Sequence, residues 1–172
     1  MPLKLTIVRG SLLDAEAEAI VNPANSSGRM GGGVAAAIRR AAGTVVEREA
    51  TAAAPIPVGK AIVTSGGATR FKAIIHSPTM RRPAERVPLE HASAATRAAL
   101  EAADARGLAS LAMPGMGTGV GRVPPASAAD AMVRTILGFQ PAHLREVILV
   151  DVDERLVMEW RLALGRLSKG ET

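Results

Sequence analysis

The chain has 172 residues, 21 Lys and Arg against 16 Asp and Glu, no cysteine and no tyrosine, and its only aromatics are Phe71, Phe139 and Trp160. That length suits one domain with a sizeable core, so 1–172 is read as a single unit, and the missing cysteines exclude a disulfide framework, a thiolate nucleophile and a cysteine metal site. The formal charge of +5 favours an anionic partner, but the basic residues are scattered apart from Arg39-Arg40 and Arg81-Arg82, and no aromatic is interleaved with them to stack bases.

Taken in chain order, the opening MPLKLTIVRG lacks the apolar stretch of a secretory signal, and nowhere does an apolar run approach membrane-spanning length, so a cytoplasmic protein is expected. Leu3 to Val8 alternates as a strand does, and Ala19 to Val21 reads as a short buried strand ending at Asn22. Val34 to Ala41 reads as a helix closed at Gly43. Thr44 with Glu47 three residues later reads as a capping box that opens a second helix, Val45 to Ala53, which Pro55 and Pro57 stop. Ala61 to Thr64 and Lys72 to Ser77 read as paired strands around the turn Ser65-Gly66-Gly67. Pro88 opens the longest helix, Leu89 to Ala105, and Gly107 ends it. A buried strand over Ser110 to Met113, a helix from Pro124-Pro125 to Leu137, a last strand over Glu146 to Val152 and an amphipathic helix holding Leu156, Trp160 and Leu164 complete the order. Alternating strands and helices predict an α/β fold, a three-layer α/β/α sandwich whose sheet is parallel in the middle and mixed at its edges.

Two segments carry the chemistry. Gly31, Gly32 and Gly33 stand between the strand ending at Asn22 and a helix, where glycines let backbone N–H groups turn toward an anion and the helix adds unpaired donors and the positive end of its dipole. Pro114 to Gly121 has the same character after another apolar strand, so the two loops suit a diphosphate. In open α/β sheets ligands sit at the C-terminal strand ends, which both loops leave. Neither is a nucleotide-hydrolysing loop, because the only Gly-Lys pair, Gly59-Lys60, precedes a strand; nor is Gly117-Thr118-Gly119 a dinucleotide fingerprint, because Arg122 stands where the third glycine belongs. His76, His91 and His143 lack ligand spacing, so no metal site is expected and no cofactor is called for. Ser65, Ser77 and Ser127 lack a nucleophile-elbow sequence. Arg29 and Arg122 sit beside the two loops, as solvated surface groups or as partners of a ligand.

The ordered set NPAN, GGGV opening a helix, VTSGG before FKAIIH, and AMPGMGTGVG spans most of the chain and resembles a macrodomain, the ADP-ribose-binding module. The resemblance implies a mixed, roughly six-stranded sheet between helices and, as partner, ADP-ribose or an ADP-ribosylated protein or metabolite, with nucleic acid or poly(ADP-ribose) as an alternative. It implies that Asn22 is the structural asparagine and Asn25 the one that orients the distal ribose, the single residue given a catalytic role. Ligand contacts are implied for Ser11, Leu12, Asn22, Asn25, Gly31, Gly32, Gly33 and Val34 in the first half, and for Pro114, Gly117, Thr118, Gly119, Val120, Gly121 and Val152 in the second.

The chain departs from that pattern in four places. Ser11 stands where an aspartate reads adenine, Gly121 and Val152 stand where aromatics face the distal ribose and the base, and Ala35 stands where the best-known hydrolase subclass has an aspartate. Each missing stacking aromatic removes ~1–3 kcal/mol. A missing general acid–base group removes ~10²–10⁴ in rate, so any hydrolysis of ADP-ribosyl esters or of O-acetyl-ADP-ribose is expected to be slow beside the binding function.

Overall fold

A computed structural model describes residues 2–82 and 85–169. Its strands are β1 (Lys4–Arg9), β2 (Ala19–Asn25), β3 (Ile62–Thr64), β4 (Ala73–Met80), β5 (Ser110–Met113) and β6 (Glu146–Asp151). The helices are α1 (Gly33–Ala42), α2 (Thr44–Ala52), α3 (Leu89–Ala105), α4 (Pro125–Gly138) and α5 (Glu154–Ser168), with a 3-10 turn at Leu12–Asp14. The sheet runs β1-β6-β5-β2-β4-β3; every neighbouring pair is parallel except β3 with β4. This is the mixed three-layer arrangement read from the sequence, with the six strands that the resemblance implies.

The two-residue period of each strand builds both layers. Ala19 and Val21, Ile75, Leu111 and Met113, Val147 and Leu149 point into a core completed by α3, α4 and α5, including fully buried Trp160. The intervening Ile20, Ile74, Ala112, Ile148 and Val150 point the other way, into a core completed by Leu12, Met30, Ile38 and Val46. Aliphatic and Met side chains carry almost all of this packing. Among the described residues no helix is long and apolar enough to cross a membrane.

Backbone punctuation sets the helix ends. Gly107, at φ 70, lets its own N–H reach Asp104 O and that of Leu108 reach Ala103 O, the paired bonds that close α3. Gly43, at φ 93, ends α1 and starts α2 at once, so the expected capping box does not form: Thr44 is already helical and no side chain caps the helix. Glu47 is released for another task, described below.

Two strands outrun their predicted ends, and in both a proline lies in the extension. β2 pairs with β5 only through Ala19 and Ile20, so Pro23 sits where β2 has β4 alone for a neighbour. β4 likewise leaves β3 at His76, before Pro78. A missing N–H costs a ladder bond only where a second strand would receive it. β6, by contrast, stops at Asp151, and Val152 lies beyond it, 70% exposed.

Candidate functional site

Because β2 and β5 are adjacent and parallel, the loops that follow them emerge at one edge of the sheet. Both line a single cleft of about 660 Å³, together with the ends of β4 and β6. Asn25, Gly31, Gly32, Gly33 and Val34 from the first loop, and Gly117, Thr118, Gly119, Val120 and Gly121 from the second, all face it.

The first loop is strapped down on its near side and open on its far side. Ser26 N–H donates to Met80 O (3.0 Å) and Ser26 O accepts from Ile56 N–H (2.8 Å). Gly28, at φ 75, lies so close to α2 that a Cβ would stand 2.7 Å from Ala50 O. The Met30 side chain is fully buried, and its N–H donates to Glu47 Oε2 (2.6 Å), with Arg39 3.7 Å from the other oxygen of that carboxylate. Past this anchor the three glycines are exposed, and nothing lies within 4 Å of the place a Cβ would take on any of them. The first-turn N–H groups of Gly33, Val34 and Ala35 have no carbonyl one turn back, and no acidic residue occupies that turn, so the hollow presents unpaired donors and the positive end of α1.

The second loop is closed by tight contacts between backbone and side chains. Gly117, at φ 83, accepts from Val123 N–H (2.9 Å), and a Cβ on Gly121 would meet Gly117 O and Val87 Cγ2, each at 2.8 Å. Gly115 N–H donates to Asp151 Oδ2 (3.0 Å), which ties the loop to the tip of β6. Thr118 to Val120 form the projecting part, and Val120 is 52% exposed.

Asn25 reaches the cleft from the end of β2. Its Oδ1 accepts from the N–H (3.0 Å) and hydroxyl of Ser27, and its Nδ2 donates to Arg29 O (3.3 Å), which leaves one amide hydrogen for a ligand. Asn22 lies underneath, buried, its Nδ2 3.1 Å from His76 Nδ1. The Thr64 hydroxyl donates to Ser65 O and sits 2.9 Å from His76 Nε2, so the network assigns the proton to Nε2 and makes Nδ1 the acceptor for Asn22. Burial pushes His76 down to about 4, against the weaker upward pull of the Glu49 carboxylate, and the ring is neutral at pH 7. Asn22 is thus tied into the fold beneath the cleft and is absent from its lining, contrary to the ligand contact implied for it; its Oδ1 has no partner among the described residues.

Ser11, Leu12, Pro114 and Val152 lie outside the lining. Ser11 is exposed with its hydroxyl accepting from Leu13 N–H (3.3 Å), Leu12 is packed in the core below, Pro114 is buried, and Val152 points to solvent. Of the two arginines only Arg29 lines the cleft, and no carboxylate pairs with it among the described residues. Sequence reasoning missed Thr79 and Met80, on the unforeseen end of β4, as well as Gly115, Asp151 and Asp153. The run Asp151-Val152-Asp153 held a signal: at a strand tip that faces a cleft, the residues on either side of an outward one turn inward.

Residues 21–132 match the family model described as Macro domain. A protein of Aquifex aeolicus is 52% identical over 163 residues, covering 95% of this chain and 99% of that protein. Among solved structures, a glycine-to-valine mutant of the Oceanobacillus iheyensis macrodomain with ADPR (ADP-ribose) superposes at a TM-score of 0.84 with 29% identity, covering 95% of this chain and 92% of that one. The same macrodomain with ADP superposes at 0.82 with 28% identity, covering 95% and 91%.

Proposed function

Since the chain belongs to the Macro domain family, we propose that its cleft binds ADP-ribose or an ADP-ribose derivative, free or attached to a protein. The observation that carries this reading is the convergence of two glycine loops, from adjacent parallel strands, on one cleft. Backbone N–H groups of the first loop and of the α1 N-terminus take one phosphate, and the second loop wraps the other. Asn25 offers its remaining amide hydrogen to the distal ribose and places no charge beside the diphosphate. Arg29 supplies a cation at the rim of the first hollow.

Binding without chemistry is the leading form of this reading, because Ala35 puts a methyl group in the cleft wall and no carboxylate on the first turn of α1. Slow hydrolysis by substrate positioning is the second form, favoured by the placement of Asn25 in the same wall as the first glycine loop. Calorimetric titration with ADP-ribose, ADP and AMP tests the binding: ADP-ribose and ADP should bind and AMP, lacking one phosphate, should bind far more weakly. Equal affinity for all three, or none for ADP-ribose, would end the proposal. Release of ADP-ribose from a modified protein, measured with and without Asn25→Ala, separates reader from hydrolase. A ligand held by backbone donors also loses little affinity with added salt, whereas RNA bound through scattered cations would lose it steeply.

A further inference from the structure

Arginines that are spread along the sequence are gathered by the fold at one side of the cleft mouth. Asn25 and Met80 are register partners across β2 and β4 and both line the cleft, so Arg81 and Arg82 leave the sheet beside it. Met80 packs against a small cluster of Val87, Val123 and Ala128, and Val87 N–H donates to Gly121 O (3.1 Å) at the base of the second loop. Arg86 directly precedes the first of those valines and Arg122 the second. Four exposed arginines therefore flank one apolar cluster, just outside the lining, on the rim that joins the tip of β4 to the second loop.

Their charges are unspent. Elsewhere arginines find carboxylates, as Arg97 does with Glu101 (2.9 Å) and as Arg134 and Arg166 do with Asp130 (3.0 and 2.7 Å). Among the described residues Arg81, Arg82, Arg86 and Arg122 have no such partner. Two carboxylates come near: Glu85 turns one oxygen to the backbone N–H groups of Arg81 (3.0 Å) and Arg82 (3.4 Å), and Glu90 lines a separate cavity that Arg81 also borders. The rim stays positive, with four cations against these two anions. Arg122 also holds a φ of 60, a left-handed backbone that glycine takes freely and a side chain makes costly.

We infer that this arginine rim docks an acidic polypeptide segment, so that the cleft takes ADP-ribose carried by a protein with Asp and Glu around the modified residue in preference to one with neutral surroundings. This rests on the binding reading above in its protein-attached form, because a polypeptide joined to a ligand in the cleft lies over the cleft mouth, within reach of rim side chains. Guanidinium forks match carboxylates with two parallel hydrogen bonds. One exposed ion pair contributes little, but several charges acting together on one segment add up. Nucleic acid is the poorer occupant, since its bases need faces to stack on and Phe71, Phe139 and Trp160 are all packed against the two cores.

The test uses the full chain and three probes: free ADP-ribose, a peptide carrying ADP-ribose through a linkage that resists hydrolysis with Asp and Glu on both sides, and the same peptide with Asn and Gln in their place. At low salt the acidic peptide should bind about 10-fold more tightly than the neutral one, and at about 0.5 M salt the preference should shrink to about 2-fold. Arg86→Gln combined with Arg122→Asn, the latter a residue that tolerates positive φ, should remove most of the preference at low salt and leave free ADP-ribose binding unchanged. Equal affinity for the two peptides, or a preference that survives the double variant, overturns the inference and leaves the binding reading intact. So does an RNA oligonucleotide that displaces the acidic peptide at lower concentration than oligoglutamate of equal charge, which would assign the rim to nucleic acid. Failure of the unaltered chain to bind free ADP-ribose removes the binding reading itself.

Discussion

The two glycine loops face the same cleft but are built on opposite plans. The first is held from behind by neighbours that reach it, with Glu47 on the Met30 N–H, Gly28 pressed on Ala50, and Met30 plugged into the core, while its three cleft-facing glycines touch nothing. The second is held by closeness, since Gly115, Gly117 and Gly121 lie where a Cβ would collide with neighbouring atoms of the fold. Glycine therefore serves two purposes here. At Gly31, Gly32 and Gly33 it leaves the cleft wall open, and at Gly28, Gly115, Gly117 and Gly121 it lets the chain pack closely on itself.

The comparison breaks most sharply on a pair of alanine substitutions. Gly121→Ala forces a methyl group to 2.8 Å from both Gly117 O and Val87 Cγ2, and should cost about 1–3 kcal/mol in a denaturant melt, the overpacking range. Gly32→Ala has no atom within 4 Å and an extended φ of −153 that any residue adopts. Its stability should stay within about 0.5 kcal/mol, as for an ordinary surface change, while ADP-ribose affinity falls about 10-fold or more because the methyl group stands in the hollow. Equal stability losses at the two sites would erase the distinction.

That distinction was not legible in the sequence, although both loops were. Glycine runs after apolar strands announce donors for an anion, and Pro88 and Gly107 set the ends of α3 because they act on their own backbone. What a Cβ would strike depends on Val87 and on a carbonyl brought near only by the fold. The ends expected at Asn22 and Ser77 fall short of Asn25 and Met80, because nothing local says that β2 at Pro23 and β4 at Pro78 have each lost a neighbour. The same limit applied to the cleft walls: Arg29 and Arg122 are equivalent in sequence, and the packing of loop against helix puts only the first on the cleft.

The foundations of the loops differ as well. Under the second lie apolar Leu111 and Met113; under the first lies the polar chain of Asn22, His76 and Thr64. His76 is held at about 4, below its ordinary value near 6.5, because the charged ring would be buried. The folded state therefore binds fewer protons than the unfolded one between those values. This contribution is complete above pH 6.5 and is lost as pH falls toward 4, to a total of about 3 kcal/mol at the usual 1.36 kcal/mol per unit. Melting of the unaltered protein from pH 7 to pH 4 should show that slope, and His76→Gln, which cannot titrate, should flatten it even if it starts less stable. An equally steep fall in His76→Gln would assign the acid sensitivity to other groups.

The smallest effect tests the strap itself. Glu47 does not cap α2 as its spacing after Thr44 suggested; its carboxylate reaches across to the last anchored N–H before the glycines. Loss of that acceptor leaves a partly buried N–H unpaired and loosens the approach to the hollow without placing anything in it. Glu47→Leu should therefore weaken ADP-ribose binding about 3- to 10-fold, near the net value of one ordinary hydrogen bond because the loss reaches the hollow only indirectly, with little change in affinity per unit of added salt. Glu47→Gln keeps an acceptor oxygen and loses only the charge that faces Arg39 at 3.7 Å. If hydrogen bonding to Met30 is what orders the loop, Gln restores most of the affinity; if the attraction of Arg39 is what matters, Gln behaves like Leu. The second outcome would mean that the first loop is positioned by charge between α1 and α2, and the contrast with the second loop would then be electrostatic against steric.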